Sequence, residues 1–174
     1  MRKILAFAGS NSSKSINQSV INYLGEINNI EAKSLQSWDI PMYSSDYEET
    51  NGVPQQILDF ISEIKTYDAV IIATNEHNGY MSAFFKNIID WMSRADREFM
   101  GGKDTFVLST SPGGGGGASA NAGLSKMLGY FGGNVVENMT IGSFYDVFDL
   151  ENNTFKSEDV KTELTQKVEG FIKA

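Results

Sequence analysis

The stretch Ile4-Leu5-Ala6-Phe7-Ala8-Gly9-Ser10-Asn11-Ser12-Ser13-Lys14-Ser15-Ile16-Asn17 decides the architecture of this chain. Ile4 to Ala8 is a short apolar run, too brief for a helix core and bounded by Gly9, which predicts a strand buried on both faces. Beyond Gly9 the chain is rich in serine, and it then turns helical with Val20, Ile21 and Leu24 on one face. A strand that ends in Gly and hydroxyls and enters a helix presents free backbone N–H groups at the helix N-terminus. Those groups, the helix dipole and the hydroxyls together suit an anion, most often a phosphate. The plain alternative is a polar surface loop whose serines cap a helix.

The loop matches neither familiar nucleotide fingerprint. In a P-loop, Gly precedes Lys-Ser/Thr, whereas here Lys14 and Ser15 come one residue early after Gly9 and the second Gly is missing. The dinucleotide pattern G-x-G-x-x-G fails at Asn11. What remains is a hydroxyl-rich cradle with one lysine, suited to a terminal monophosphate without bound magnesium.

Working outward, the first helix is expected to break at Asn28-Asn29. Ile30 to Trp38 reads as a more polar strand suited to a sheet edge, and Asp39 to Val53 as a charged loop. After Pro54, the residues Ile57, Phe60, Ile61 and Ile64 recur at helical spacing. Ala69 to Thr74 is β-branched and apolar. The polar run Asn75 to Tyr80 follows, and then a helix from Ser82 to Arg94 with Phe84, Phe85, Ile88, Ile89 and Met92 on its inner face. Thr105 to Thr110 is a further buried strand that ends in Ser111-Pro112 and the glycines 113 to 117. A helix over Ala118 to Tyr130, a strand over Val135 to Ile141 and a last helix marked by Val160, Leu164, Val168, Phe171 and Ile172 complete the chain.

Strand and helix alternate five times, which implies a single α/β domain over residues 1–174, a parallel sheet with helices on both faces. In a doubly wound sheet of order 2-1-3-4-5, the loops after the first, third and fourth strands share one edge at the switch point. These are the loops rich in Gly, Ser and Asn, so three independent segments converge on one crevice.

Composition sets the bounds. The chain has 174 residues, 41% of them hydrophobic, enough for one globular core. A net charge of −8 argues against nucleic acid or an anionic membrane as partner. There are no cysteines and one histidine, so thiolate catalysis and a metal site are not expected. The apolar run after Met1-Arg2-Lys3 is too short for a signal-peptide core, and no run reaches membrane-spanning length, which leads to the expectation of a cytoplasmic protein.

At this point the sequence resembles the NADPH-dependent FMN reductase family of flavodoxin-like proteins, which includes quinone, chromate and azo-dye reductases. That family's phosphate loop reads Gly-Ser-x-Arg-x-x-Ser-x-Asn, matched by Gly9, Ser10, Ser15 and Asn17. The Arg position is Ser12 here, and Lys14 supplies a positive charge without the bidentate fork. A second signature, Thr-Pro-Glu-Tyr-Asn-Gly-Ser followed by Leu-Lys-Asn-Ala-Ile-Asp-Trp and Ser-Arg, corresponds to Thr74-Asn75-Glu76-His77-Asn78-Gly79-Tyr80. Its helical half corresponds to Phe85-Lys86-Asn87-Ile88-Ile89-Asp90-Trp91 and Ser93-Arg94. Ser111-Pro112-Gly113 with the glycines after it matches a third.

The resemblance implies a flavodoxin-like three-layer fold, FMN as cofactor and NADPH or NADH as electron donor. It places the FMN phosphate among Ser10, Ser12, Lys14, Ser15 and Asn17. The polar rim of the flavin falls to Asn75, Glu76, His77, Asn78 and Gly79, and its flat face to Ser111, Pro112, Gly113 and Gly114. It implies a hydride taken from NAD(P)H and a small acceptor, such as a quinone, free flavin, azo compound or metal oxyanion. It also implies a homodimer or homotetramer in which the helix carrying Trp91 is either core or subunit contact. No side chain is assigned a catalytic role, because the flavin does the chemistry and the protein positions it. His77 is either a flavin neighbour or an ordinary exposed imidazole. Two other readings stay open: a flavodoxin-type electron carrier without its own substrate, and an interaction module that has lost the flavin.

Overall fold

A computed structural model describes residues 1–27 and 29–174. Five parallel strands, β1 (Ile4–Ala8), β2 (Ile30–Lys33), β3 (Ala69–Thr74), β4 (Asp104–Thr110) and β5 (Asn134–Ile141), form one sheet in the order β2-β1-β3-β4-β5. The expected topology is therefore the observed one, and the switch point falls between β1 and β3. The helices are α1 (Ile16–Leu24), α2 (Ser45–Asn51), α3 (Gln55–Lys65), α4 (Ala83–Ala95), α5 (Ala118–Gly129), α6 (Phe144–Val147) and α7 (Glu158–Lys173). A short antiparallel pair, β6 (Phe148–Asp149) with β7 (Thr154–Phe155), leads into α7.

The two faces of the sheet explain the apolar runs. Ile4, Ala6 and Ala8 pack with Val20, Ile21 and Leu24 of α1 and with Leu164, Val168 and Phe171 of α7. Leu5 and Phe7 point the other way, toward Ile57, Phe60 and Ile64 of α3 and Phe85 and Ile88 of α4. Side chains alternate across a strand, so a strand covered on both faces must be apolar throughout. Every residue of β1 and β3 is buried. Each large aliphatic or aromatic side chain so buried stabilises the fold by about 1.5–3 kcal/mol.

Four details differ from the sequence reading. β2 is indeed an edge strand, but it ends at Lys33 rather than running to Trp38. Its pairing with β1 stops at Phe7↔Lys33; Leu35 is buried instead against the α3 layer, and the partly buried Trp38 packs there edge-on to Phe60 at 5.0 Å. The expected loop 39–53 contains α2. No residue of this helix is buried, so it has no apolar stripe to betray it. It forms on its cap: Ser44 Oγ accepts Tyr47 N–H at 3.1 Å, Asp46 and Glu48 favour the first turn, and Gly52 at φ 73° ends it. The first helix stops at Leu24, with Gly25 as its C-cap. Of the breaker pair, Asn28 lies outside the described residues and Asn29 adopts φ 71°. Finally, Phe84 is only partly buried on α4, whose inner face is completed by Asn87 and Trp91.

Asn87 and Trp91 show what the helical signature is for. Asn87 Oδ1 accepts Tyr43 N–H at 2.8 Å, and its Nδ2 donates to the Pro41 carbonyl at 3.0 Å. Trp91 Nε1 donates to the same carbonyl at 2.7 Å. A buried amide and indole thus pin the segment before α2, and Lys86 pairs with Asp90 one turn along at 2.6 Å. Trp91 is core, with no exposed surface.

Candidate functional site

At the carboxyl ends of β1, β3 and β4 the three polar loops meet around a cavity of about 210 Å³. Its lining includes Ser10, Ser12, Lys14, Ser15 and Asn17 from the first loop, Asn75, Glu76 and His77 from the second, and Ser111 and Pro112 from the third. Asn78, Gly79, Gly113 and Gly114 stand outside that lining. Thr110 and Tyr145 line the cavity too, and sequence reasoning missed both. Tyr145 lies on α6, just beyond β5, and the same switch-point argument applied to the fifth strand is the signal that finds it.

The first loop is organised by its own hydroxyls. Ser10 Oγ accepts Ser12 N–H and Ser12 Oγ accepts Lys14 N–H, both at 3.2 Å. Ser15 caps α1 by accepting Gln18 N–H at 3.2 Å. The amides of Ile16 and Asn17 head the helix and have no acceptor one turn back, so they offer donors and a positive dipole end beside the Lys14 side chain.

Asn17 has a second duty. Its Oδ1 accepts Thr110 N–H at 3.0 Å and its Nδ2 donates to the Thr110 carbonyl at 3.1 Å, so the side chain imitates a neighbouring strand at the end of β4. The residue is buried. The group fastens the first loop to the end of β4, where the third begins.

The second loop is a tight hairpin. His77 N–H donates to the Tyr80 carbonyl at 2.7 Å and Tyr80 N–H returns to His77 at 3.1 Å. Asn78 and Gly79 take φ of 54° and 78°, and two positive values in succession define the type I′ turn that Asn-Gly favours. Glu76 turns away from solvent: its Oε2 accepts the N–H of Ala120 in the first turn of α5 at 2.9 Å. That helix starts at Gly117, which has no side chain to cap it. Asn75 Nδ2 lies 3.3 Å from His77 Nε2, and its Oδ1 is buried with no partner among the described residues. His77 itself is exposed.

The glycines of the third loop divide by role. Gly116 and Gly117 adopt φ of 60° and 78°, and a Cβ on Gly116 would meet the backbone of Ile141. Around Gly113, Gly114 and Gly115, nothing lies within 4 Å of where a Cβ would stand. Tyr80, at the end of the second loop, packs on Gly123 of α5, where a Cβ would meet its ring.

A doubly wound parallel sheet of order 2-1-3-4-5, with polar loops meeting at its switch point, defines a flavodoxin-like fold. The sequence profile described as NADPH-dependent FMN reductase matches residues 2–146, and the chain belongs to that family. It is 30% identical over 171 residues to an NAD(P)H-dependent FMN reductase of Pseudomonas aeruginosa, a match covering 95% of this chain and 90% of that one. It is 34% identical over 128 residues to a quinone reductase of Pseudomonas putida, covering 72% and 68%. Against the quinone reductase of Escherichia coli K12 the match spans about half the relative's length, 48%. Among solved structures, the flavoenzyme NAD(P)H:(acceptor) oxidoreductase FerB of Paracoccus denitrificans superposes with a TM-score of 0.79 at 25% identity, over 99% of this chain and 96% of that one. The flavodoxin-like fold and membership of the NADPH-dependent FMN reductase family, expected from three short signatures, both hold for this chain. Among the described residues no helix is long and apolar enough to cross a membrane, and no cluster of His, Asp and Glu suits a metal ion.

Proposed function

We propose that this protein is a cytoplasmic, homo-oligomeric oxidoreductase that holds FMN in the crevice between the three loops, takes reducing equivalents from NADPH or NADH and passes them to a small acceptor such as a quinone. The residues fit the cofactor on grounds of their own. The hydroxyls, the two leading amides of α1 and Lys14 make a donor set for a phosphate dianion. The unpartnered buried Asn75 Oδ1 is an acceptor waiting for an N–H, which the pyrimidine edge of a flavin carries. Gly113 to Gly115 leave open space beside the crevice.

FMN held there would supply the redox chemistry, the transfer of electrons from the nicotinamide to the acceptor. The chain supplies the rest. Ser10, Ser12, Ser15 and Lys14 would hold the FMN phosphate. Asn75 would orient the polar rim, and the turn at Asn78 and Gly79 keeps its loop in shape. Glu76 serves the scaffold by capping α5 and is not assigned a proton-transfer role.

The observation that carries a reductase over an electron carrier is the position of Tyr80. Its ring is taken up by Gly123, and the loop glycines bring no side chain of their own. On this reading neither Tyr80 nor the loop glycines cover the flavin ring, and a nicotinamide approaches its open face within about 3–3.5 Å. Anaerobic mixing of the FMN-loaded protein with NADPH, and separately NADH, tests this. Bleaching of the flavin within seconds, and return of colour on adding a quinone, is expected. Failure of both nicotinamides to bleach the flavin refutes the assignment.

A further inference from the structure

We infer that the phosphate cradle opens on its outer side into a second subsite, which takes an adenosine phosphate; the inference rests on the FMN reading above. A second cavity of about 340 Å³ adjoins the first loop and the start of α1. It shares Ser12, Lys14, Ser15, Ile16 and Tyr145 with the cradle, so the two spaces meet along one wall. Its volume lies within the range of small-molecule sites, roughly 300–1,000 Å³, which the cradle's 210 Å³ does not reach alone.

The lining says what would occupy it. The chain carries 22 acidic residues and a net charge of −8, yet no carboxylate lines this cavity and Lys14 does. That local inversion of charge favours an anion. Gln18, Asn22 and Gln36 add side-chain amides, each both donor and acceptor, the pattern that pairs with the edge of a nucleobase. Gln18 Nε2 is committed to Asn22 Oδ1 at 2.9 Å, while Gln18 Oε1 is buried and unpartnered among the described residues. A buried acceptor without a donor is destabilising unless a ligand supplies one. Tyr145 and Leu150 expose 55% and 52% of their surface, large apolar groups at the rim where a flat ring would lie. Phosphate-binding charge, amide edges and an exposed aromatic beside one another describe a nucleotide.

Two molecules bring an adenosine phosphate to this place: the nicotinamide donor, and a flavin dinucleotide whose own phosphate sits in the cradle. Asn22 is exposed and lines only the outer cavity, so Asn22→Trp fills the subsite and leaves the cradle alone. Apoprotein of wild type and variant is titrated with FMN and FAD by fluorescence, and the FMN-loaded forms are titrated with ADP by calorimetry. FAD binding within about threefold of FMN in wild type, and at least about tenfold weaker in Asn22→Trp with FMN unchanged, assigns the subsite to a dinucleotide flavin. ADP binding to the FMN-loaded wild type that Asn22→Trp abolishes, with a raised KM for NADPH, assigns it to the donor. If FMN binds tightly, FAD binds about 100-fold more weakly, ADP does not bind and the variant changes nothing, the inference is overturned. Failure to bind FMN at all overturns the functional reading instead, and the FMN titration alone reveals it.

Discussion

Glu76 Oε2 and the backbone N–H of Ala120 are 2.9 Å apart, so a side chain from the loop after β3 caps a helix that begins beyond β4. A carboxylate there satisfies a free donor and opposes the helix dipole, together about 0.5–2 kcal/mol. Glu76→Ala should lose that amount, lowering the melting temperature by about 2–4 °C per kcal/mol for a chain of this size. Glu76→Gln keeps an acceptor and should lose less. Equal melting temperatures for Glu76→Ala and wild type in thermal denaturation would show that the cap contributes nothing.

Asn17→Ala should destabilise the fold as well as the site. The substitution strands the N–H and C=O of Thr110 at the buried end of β4, and each stranded group costs about 1–3 kcal/mol. Asn17→Asp keeps the acceptor and loses the donor, so it should fall between wild type and alanine. Urea unfolding of the apoprotein reads this without any cofactor. A midpoint for the alanine variant matching wild type would mean that Thr110 finds other partners.

Ser15→Ala removes the α1 cap and, on the proposed reading, a phosphate contact. Hydrogen bonds to a charged group contribute about 1.5–3 kcal/mol, so FMN affinity should drop about 10- to 100-fold. The cap itself adds a stability loss of about 1 kcal/mol. Fluorescence titration of apoprotein separates the two when the fold is checked by circular dichroism. Undiminished FMN binding would put the phosphate elsewhere.

Asp96 closes the end of α4 and pairs with Lys65 at the end of α3 at 2.7 Å. The hydrogen bond from Lys65, and then that from the Glu98 amide, hold its carboxyl below the usual range. Its folded pKa is thus lower than its unfolded value of about 3.9, so its contribution is present above that value and lost as pH falls through the folded pKa. Urea midpoints measured from about pH 7 down to about pH 3 should fall less steeply in Asp96→Asn than in wild type. Parallel curves for the two proteins would refute the assignment.

How much of this was legible beforehand depended on sequence distance. Ile4 to Ala8 and Ala69 to Thr74 announced buried strands because both faces of each are covered, and Ile57, Phe60, Ile61 and Ile64 announced α3 because one face is. Neither signal exists for α2, whose surface is polar all round, or for α6, four residues long and fixed by the burial of Phe144. The cavity brought Ser10, Ser12, Lys14, Ser15, Asn17, Asn75, Glu76, His77, Ser111 and Pro112 together as the topology required. The separate duties of Glu76 and Asn17 were not readable. Each is a hydrogen bond across tens of residues to a backbone group, and a backbone group leaves no trace in side-chain patterns.

The pairing of Asn17 with Thr110 joins positions 93 residues apart. As the chain leaves the ribosome from its N-terminus, the serine loop appears early, but the strand end that steadies it is made only after more than half the molecule exists. Contacts of such separation carry a loop-closure cost that earlier docking of β1 and β3 must first reduce. On the proposed reading, the loop takes the shape that holds FMN only once β4 has been made. A truncated or stalled chain ending before β4 would carry Ser10, Ser12 and Ser15 and still lack the partner that holds their loop in shape.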